Sequence, residues 1–293
     1  MAVQLVWLEG PGADPDEIGA RANALAVLRQ AGIAVPRAFV LGRSLLLTFL
    51  DSVRREGRTS VPVKLPLEIQ ARIADALRQL GGSYAIRRSA LDEPRAEKDR
   101  DDWMTTTQGG GGRPERETYL HVIDAAEVGE AVRRIWGQGL VTSPPPQQVA
   151  IMVQRFLAPD VCAVVRRDRA DADVMHVSST LGIGDLLAAG LVVPDRHTLR
   201  RDGKVLACSL GRKAQMTVPR GDGGVVRVPV PAHAARQMAM DDAKLQDLAA
   251  TWRQADAATE GLRAVGMSWS AGRWYVTSAA LRKHADRQDV MLG

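Results

Sequence analysis

A short segment over residues 181–195, LGIGDLLAAGLVVPD, concentrates residue types that favour contact with a ligand. Gly182 and Gly184 permit backbone conformations and close approaches that other residues do not, and an acid, Asp185, follows them. Pro194 fixes φ and lacks an N–H group, so the chain turns or lies at a sheet edge there. The segment predicts a tight loop, a short helix of small residues and a tight turn. A lone G-x-G fits a structural turn as well as a nucleotide contact, and both interpretations stay open.

The composition is that of an ordinary globular protein. The chain has 293 residues, of which 45% are hydrophobic and 25% are charged, enough for a sizeable core in two lobes. No apolar run reaches the roughly 18 residues needed to span a bilayer, and we expect neither a signal peptide nor a membrane partner. The two cysteines, Cys162 and Cys208, are expected to be reduced thiols, which predicts a cytoplasmic protein.

The charge does not predict a nucleic-acid partner. The net charge is +5, but the paired arginines are scattered along the chain, and aromatic residues make up only 4%. Nucleic-acid binding surfaces combine clustered cations with stacking aromatics, which this chain lacks. A solvated arginine-rich surface, or an anionic small ligand, explains the charge better.

Helical and strand patterns alternate along the chain and predict a mixed α/β protein. An opening strand at Val3–Trp7 precedes a helix from Asp14 to Ala31, capped by Asp14 with Pro15 in its first turn. The next stretch, interrupted by Pro36, predicts an edge strand. The further predictions are helices over 44–55, 66–80 and 125–136, strands over 84–87, 149–157 and 161–166, and an inter-lobe linker at the prolines of 143–146.

Several of these segments, in order, resemble the ATP-binding domain shared by phosphoenolpyruvate synthase, pyruvate phosphate dikinase and rifampin phosphotransferase. The segment GIGD…G…PD is similar to that family's G-L-G-E…G…P-D, and DEIGARANALAVLRQAGIAVPRAFVL is similar to its opening G-G-K-G-x-N-L-x-x-L…G-x-x-V-P-x-G-F. The resemblance implies a mixed α/β, two-lobed ATP-grasp fold of the dikinase type. The lobes are expected to cover residues 1–145 and 146–293.

The resemblance also implies ATP as the ligand and assigns candidate contacts. Arg21 occupies the position of a lysine that reaches the phosphates, although the residue types alone favour a surface helix arginine. Arg87 matches a phosphate-binding arginine, with an ion pair to Asp92 or Glu93 as the alternative. Gln154 matches the strand V-V-V-Q-x-M that borders the adenine, and Gly182, Gly184 and Asp185 complete the set.

A glycine-rich stretch over 96–117 corresponds to the family's lid over the phosphates. Its end, Glu117-Thr118-Tyr119-Leu120, keeps the family pattern, whereas the tip is rewritten as TTTQGGGG. A lid that becomes ordered on nucleotide binding and an idle surface loop are both compatible with this composition.

The pattern departs from the family where Mg²⁺ ligands are expected. Phosphoryl transfer needs a cation to neutralise developing charge, and in the family D-x-E-W and Q-x-R-P supply that site. Here the glutamate position is Ser268, the glutamine position is Ser278 and the arginine position is Ala280. Trp269 and Trp274 remain, which predicts that the strands are intact. Mg²⁺ binding is therefore doubtful, because a serine hydroxyl is a poorer magnesium ligand than a carboxylate.

Two functional hypotheses follow. In the first, the chain is a pseudoenzyme that binds a nucleotide with weak or lost phosphotransfer. In the second, it is an active ATP-dependent phosphotransferase component that works with a separate phosphohistidine or pyruvate-binding subunit, with Asp256 or Glu260 as replacement metal ligands. Whether the chain is an enzyme is left open by the sequence.

Overall fold

The computed structural model describes residues 5–10, 13–55, 64–90, 118–138, 149–259 and 261–281. Within these ranges the chain forms seven helices and thirteen strands, so the predicted mixed α/β class is confirmed. The elements are β1 Val6–Trp7, α1 Pro15–Gln30, β2 Ala38–Leu41, α2 Arg43–Arg55, α3 Leu67–Leu80, β3 Tyr84–Ala90, β4 Thr118–Val122, α4 Ala125–Gln138, β5 Val149–Arg155, β6 Val161–Arg167, β7 Val174–Leu181, α5 Asp185–Ala188, β8 Asp195–Arg200, β9 Val205–Ser209, β10 Gln215–Pro219, β11 Val225–Pro229, α6 Ala232–Ala235, α7 Asp242–Ala258, β12 Leu262–Ser270 and β13 Arg273–Leu281.

The first helix is interrupted, which its apolar pattern did not predict. Gly19 has φ 77° and ψ 165°, outside the helical region, so α1 consists of a single turn followed by a longer helical segment. Glycine adopts this positive φ without the steric cost that a Cβ imposes. Arg21 therefore lies in the first turn of the longer segment rather than in the middle of a continuous helix.

The first sheet has five antiparallel strands in the order β1-β2-β5-β3-β4. The prediction that β2 is an edge strand is wrong, because β1 pairs with it through Val6 and Trp7. Pro36 precedes β2 and so removes no bond from the strand. One face of this sheet carries Phe39, Ile86 and other apolar side chains that form the core with α2, α3 and α4.

The second sheet has six antiparallel strands in the order β13-β12-β6-β7-β8-β9. Apolar residues of one face, including Val265 and Val276, are fully buried. Trp274 on this face donates a hydrogen bond from its indole Nε1 to the carbonyl of Lys244 in α7, at 2.9 Å. The predicted strands around Trp269 and Trp274 are intact, and the two rings make an edge-to-face contact at 5.4 Å.

The chain separates into two compact units. Unit 1 comprises Met1–Ala26, Pro36–Ala158 and Val218–Arg227, and unit 2 comprises Val27–Val35, Pro159–Thr217 and Val228–Gly293. The first sheet belongs to unit 1 and the second to unit 2. The predicted division at residue 145 stays a prediction, because residues 139–148 lie outside the described residues.

No helix in the described ranges is both long enough and apolar enough to cross a lipid bilayer. Both cysteines are free thiols; Cys162 is buried and Cys208 is exposed. The cytoplasmic location stays a prediction.

Candidate functional site

In unit 1, the sheet brings Arg87, Ser89 and Gln154 onto one face. Arg87 lies opposite Met152, and Gln154 lies opposite Ala85, in the antiparallel pair of β3 and β5. Directly opposed residues and alternate residues of a strand share a face. This face is the one opposite the apolar face that carries Ile86 and Val153.

Ser89 connects this face of the sheet to the helical segment that carries Arg21. The hydroxyl of Ser89 is fully buried and accepts a hydrogen bond from the backbone N–H of Ala22, at 3.1 Å. The first N–H groups of a helix lack partners within the helix, so this serine satisfies one of them. Arg21 and Arg87 are each half-buried rather than fully exposed. The structure therefore brings the two candidate phosphate-binding segments of unit 1 together.

Gln154 is buried within the first sheet, as its core-strand pattern predicted. Only 1% of the residue is exposed, and its amide Nε2 has no hydrogen-bond acceptor in the described part of the chain. Most buried polar atoms have a partner in native proteins, so an exception at this position calls for an explanation. An acceptor on a bound ligand would provide one.

In unit 2, the segment over 182–185 is a tight loop that enters a short helix, as predicted. Gly182 has φ +72°, and a Cβ added there would lie 2.5 Å from the carbonyl oxygen of Thr217. The backbone N–H of Ile183 donates to the same oxygen at 2.9 Å. Gly184 directly precedes α5 and has an ordinary φ of −79°, but an added Cβ would lie 3.1 Å from the Cβ of Cys162. A side chain would thus clash severely at Gly182 and make a tight contact with a different neighbour at Gly184.

Cys162 lies on the second sheet in a cluster of small polar side chains. Its Sγ is 3.2 Å from the Oγ of Ser268, and the two residues are opposed in the pair of β6 and β12. Thr180 lies opposite Cys162 on the other side and is fully buried, and its Oγ1 has no hydrogen-bond partner in the described residues. We call Cys162, Thr180, Ser268 and Ser278 the polar floor.

Ser278 joins the polar floor because β13 contains a bulge. Gly266 pairs with Ser278 and Met267 pairs with Val276, so Thr277 is an extra residue on β13. A one-residue shift moves every following side chain to the other face of a strand. The bulge therefore places Ser278 on the face that carries Ser268. Ser268 and Ser278 are therefore diagonal neighbours on adjacent strands.

The polar floor does not fit a magnesium ion. Mg²⁺ binds carboxylate and other hard oxygen ligands, whereas the floor offers three neutral hydroxyls and a thiol. No group of three or more His, Cys, Asp or Glu side chains within the described ranges could hold a metal ion. Asp256, a suggested replacement ligand, instead pairs its carboxylate with Arg167 and Arg201, so that suggestion is not supported. Glu260 lies outside the described residues.

A buried ion pair in unit 2 was not predicted as a functional feature. Lys213 and Asp195 form an ion pair in which both side chains are fully buried. Asp195 also accepts hydrogen bonds from the backbone N–H groups of Gly211, at 2.7 Å, and Ala239, at 2.6 Å. Burial lowers the pKa of the neighbouring His197 below its ordinary value of 6.5, although Asp195 opposes this shift. The sequence from Leu210 to Lys213 is similar to the family's L-G-x-K, and Asp195 lies in its P-D, but neither pattern indicates that the acid and the lysine pair.

Other expectations fall on residues that the structure leaves undescribed. Three of them lie outside the described residues: the lid over 96–117, the linker at 143–146, and the alternative partners of Arg87, Asp92 and Glu93. The description resumes after the lid at Thr118, where β4 begins.

Comparison with protein families identifies a match over residues 58–269 to the pyruvate phosphate dikinase AMP/ATP-binding domain. A rifampicin phosphotransferase from a Streptomyces species is 28% identical over 212 residues, covering 66% of this chain and 23% of that protein. The prodigiosin synthesizing transferase PigC of Serratia marcescens is 25% identical over 268 residues, covering 82% and 29%. A probable phosphoenolpyruvate synthase of Archaeoglobus fulgidus is 30% identical over 152 residues, covering 46% and 20%. The chain thus spans about a quarter of the length of these relatives.

Solved structures match most of the length of this chain at low sequence identity. A dinucleotide-forming acetyl-coenzyme A synthetase from Ca. Korarchaeum cryptofilum covers 89% of this chain, and this chain covers 92% of it, with 12% identity and a TM-score of 0.46. A carboxyaminoimidazole ribonucleotide synthase in complex with ATP covers 89% of this chain and is itself covered over 44%, with 13% identity and a TM-score of 0.37. Likeness at this level carries no argument about function.

Proposed function

Because the chain belongs to the pyruvate phosphate dikinase AMP/ATP-binding domain family, we propose that it binds an adenine nucleotide without a divalent cation and has weak or no phosphotransfer activity. The observation that carries the second half of the proposal is the chemistry of the polar floor. Neutral donors occupy the positions where the family resemblance requires cation ligands.

The nucleotide half of the proposal rests on the residues of unit 1. Arg87 and Arg21 supply guanidinium donors that bind phosphate oxygens in a bidentate manner. The helical segment after Gly19 presents backbone N–H groups, and the positive end of a helix dipole favours anions. Gln154 offers its buried amide to the base. In unit 2, the candidate nucleotide contacts are Gly182, Gly184 and Asp185. The contacts of each unit are tested by variants in that unit.

The polar floor supports the loss of cation-dependent chemistry. The family's reaction uses the cation to neutralise charge that develops on the transferred phosphoryl group. Ser268, Ser278, Thr180 and Cys162 can donate hydrogen bonds to an anion but supply no negative charge that would hold Mg²⁺. We therefore expect nucleotide binding that does not depend on a divalent cation.

Titration calorimetry and thermal shift with ATP, ADP and AMP, each with Mg²⁺ or with EDTA, test this function. We expect at least one nucleotide to bind equally well in EDTA. A ligand at 100 times its Kd stabilises the folded chain by about 2.7 kcal/mol, which a melting curve resolves. Arg87→Ala should weaken binding about tenfold or more. The matched control Arg78→Ala, on an exposed helix face, should not change it.

Two results would contradict the proposal. If none of the three nucleotides raises the melting temperature, nucleotide binding itself is wrong. If binding requires Mg²⁺, the interpretation of the polar floor is wrong.

A second candidate function is favoured by the length of the relatives. The chain spans only 23% of the rifampicin phosphotransferase, so further components could supply what it lacks. In this alternative, the chain is an ATP-dependent phosphotransferase component that acts with a separate phosphohistidine or pyruvate-binding subunit. Formation of AMP or ADP from ATP on adding such a subunit would favour it. Absence of turnover in the presence of bound nucleotide would favour the first function.

A further inference from the structure

A cavity of about 560 Å³ lies between helices α3 and α4 of unit 1. Sites for small molecules typically have volumes of about 300–1,000 Å³ and combine an apolar lining with a few polar groups. Eight of the twelve residues that line this cavity are aliphatic or glycine, and the other four are Lys64, Gln70, Glu130 and Arg133. In size and in composition the cavity therefore resembles a small-molecule site.

The apolar part of the lining consists of small residues and one exposed leucine. Five of the eight apolar residues are alanine or glycine, which leaves space between the two helices. Leu67 is 83% exposed, more than any other large hydrophobic residue in the described ranges. A Cβ added at Gly129 would meet only Leu65 Cδ1, at 4.0 Å. The cavity thus has room for an apolar group beside an exposed leucine.

Arg133 gives the cavity a hydrogen-bonding group that the protein uses only in part. Its Nε donates to Oε2 of Glu130 at 2.6 Å, and its Nη2 donates to Oε1 of the same carboxylate. Its Nη1 is buried and has no acceptor in the described residues. A guanidinium can bind one carboxylate along each of two edges, and Glu130 occupies one of them. A second acceptor at Nη1 would satisfy donors that are costly to bury unpaired.

The charges that line the cavity favour an anionic acceptor. Lys64 and Arg133 are cations, and Glu130 is the one acid among the lining residues. The carboxylate of Glu130 is already shared between Arg133 and Arg134, whose Nε donates to it at 2.8 Å. It is therefore engaged on both sides and leaves Lys64 and the open edge of Arg133 for a ligand.

The surrounding charges of the two helices are mostly occupied within their own helix. On α3, Arg72 pairs with Glu68, and Arg78 pairs with Asp75. Two acids near the start of α4, Asp124 and Glu127, do not line the cavity. Asp124 caps the helix, because its Oδ1 accepts the backbone N–H of Ala126 at 2.6 Å. The cations among the lining residues thus set the local preference.

This cavity is separate from the candidate nucleotide contacts of unit 1. Helices α3 and α4 pack on the face of the first sheet that carries Ile86 and Val153. Arg87 and Gln154 alternate with those residues and lie on the opposite face. A ligand between α3 and α4 would therefore bind independently of a nucleotide.

We propose that the cavity between α3 and α4 binds a small amphipathic carboxylate. The apolar chain of the ligand lies against Leu67 and the small residues of the two helices, and its carboxylate accepts from Nη1 of Arg133 and from Lys64. Charge-assisted hydrogen bonds of this kind are about twice as strong as neutral ones. A carboxylate should therefore bind more tightly than a neutral molecule with the same chain.

Titration calorimetry with octanoate and with 1-octanol tests the ligand class, because the two share an eight-carbon chain. We expect octanoate to bind with a Kd of about 1 mM or below, and octanol to bind at least fivefold more weakly. Arg133→Met should weaken octanoate binding about tenfold and leave octanol binding unchanged. The matched control Arg134→Met, which removes the other cation on Glu130 but does not line the cavity, should change neither.

Arg133→Lys provides a second variant that keeps a cation beside Glu130. A lysine has no second guanidinium edge, so this variant should also lose the preference for octanoate over octanol. Circular dichroism of every variant checks that it is folded. A purely structural role of Arg133 would change the binding of both molecules alike.

Gly129 tests the position of the site. Gly129→Leu should fill the cavity and abolish the binding of both molecules, whereas Gly129→Ala adds one methyl group and should retain it. Nucleotide affinity should be the same in both variants as in the wild type, so this test does not depend on the proposed function.

Four outcomes would overturn the proposal. The first is no heat of binding with octanoate up to about 10 mM. The second is equal binding of octanoate and octanol, or the same effect of Arg133→Met and Arg134→Met. The third is binding that survives Gly129→Leu. The fourth is a different occupant: residues 56–63, if octanoate binds only after they are replaced by glycine and serine, or a second copy of the chain, if sedimentation velocity shows a dimer that Gly129→Leu disrupts.

Discussion

The loop over 182–185 provides a direct test of the geometry, through Gly182→Ala and its matched control Gly190→Ala. Both glycines have a left-handed backbone, with φ +72° at Gly182 and φ +67° at Gly190. A Cβ at Gly182 would lie 2.5 Å from the backbone oxygen of Thr217, whereas a Cβ at Gly190 would meet no atom within 4 Å. The two variants therefore share the backbone strain and differ in the steric clash.

The difference between the two losses can be estimated. A left-handed conformation costs a non-glycine residue about 1–2 kcal/mol, which applies to both variants. Overpacking adds about 1–3 kcal/mol at Gly182. The clash also displaces the Thr217 oxygen, which accepts the hydrogen bond from Ile183. We expect a loss of about 3 kcal/mol for Gly182→Ala and about 1 kcal/mol for Gly190→Ala.

Urea unfolding of both variants and the wild type measures the losses. If nucleotide contacts this loop, Gly182→Ala should also weaken ATP binding more than Gly190→Ala does, at a temperature where both variants are folded. Equal losses of stability would refute the reasoning, because they would mean that the Thr217 oxygen does not approach Gly182 in solution. Equal losses of ATP affinity in the two variants would mean that the nucleotide does not contact this loop. The argument about the contact between Gly182 and Thr217 would not be affected.

Two further predictions concern buried charge. Lys213→Met should cost about 3 kcal/mol, since Asp195 stays buried with only its two backbone N–H donors, whereas Arg220→Met, in an exposed ion pair, should leave the melting temperature unchanged. His197 has a lowered pKa, so the unfolded chain takes up a proton more readily. This contribution to wild-type stability should therefore be complete above about pH 6.5 and decrease below it. The midpoints of urea unfolding, measured above and below pH 6.5, should decrease less in His197→Gln than in the wild type.

The elements of the fold were largely predictable from local pattern. Helices α2 and α3 and strand β5 lie where the periodicity of the sequence predicted them. The break at Gly19 was not predicted, because a single glycine in an apolar helical pattern is usually tolerated. The inner position of β2 was missed because the predicted opening strand gave no indication that it pairs with β2.

The candidate site was only partly predictable, because its side chains meet through register. Ser268 and Ser278 are ten residues apart, and no spacing rule places them on one face, since the bulge at Thr277 decides it. The ion pair of Lys213 with Asp195 likewise depends on how two loops pack. Gly182 and Gly184 were singled out correctly as close approaches, but the atoms they approach were visible only in the structure.

The bulge and the neutral floor together make a final prediction about Ser268. A glutamate there would bury a carboxylate beside the Cys162 thiol, which costs several kcal/mol unless it is compensated. Serine lets the same floor fold without an ion. We therefore expect the double variant Ser268→Glu and Ser278→Gln to melt below the wild type in EDTA. It should recover when Mg²⁺ and ATP are added, because a ligand that binds only the folded state stabilises it.

The wild type and the control Ser270→Glu, further along β12, should not respond to Mg²⁺ in the same differential scanning calorimetry. A double variant that ignores the cation would mean that the two positions do not converge on one ion. The bulge at Thr277 would then be a feature of strand packing alone, and the polar floor would not be the remnant of a cation site.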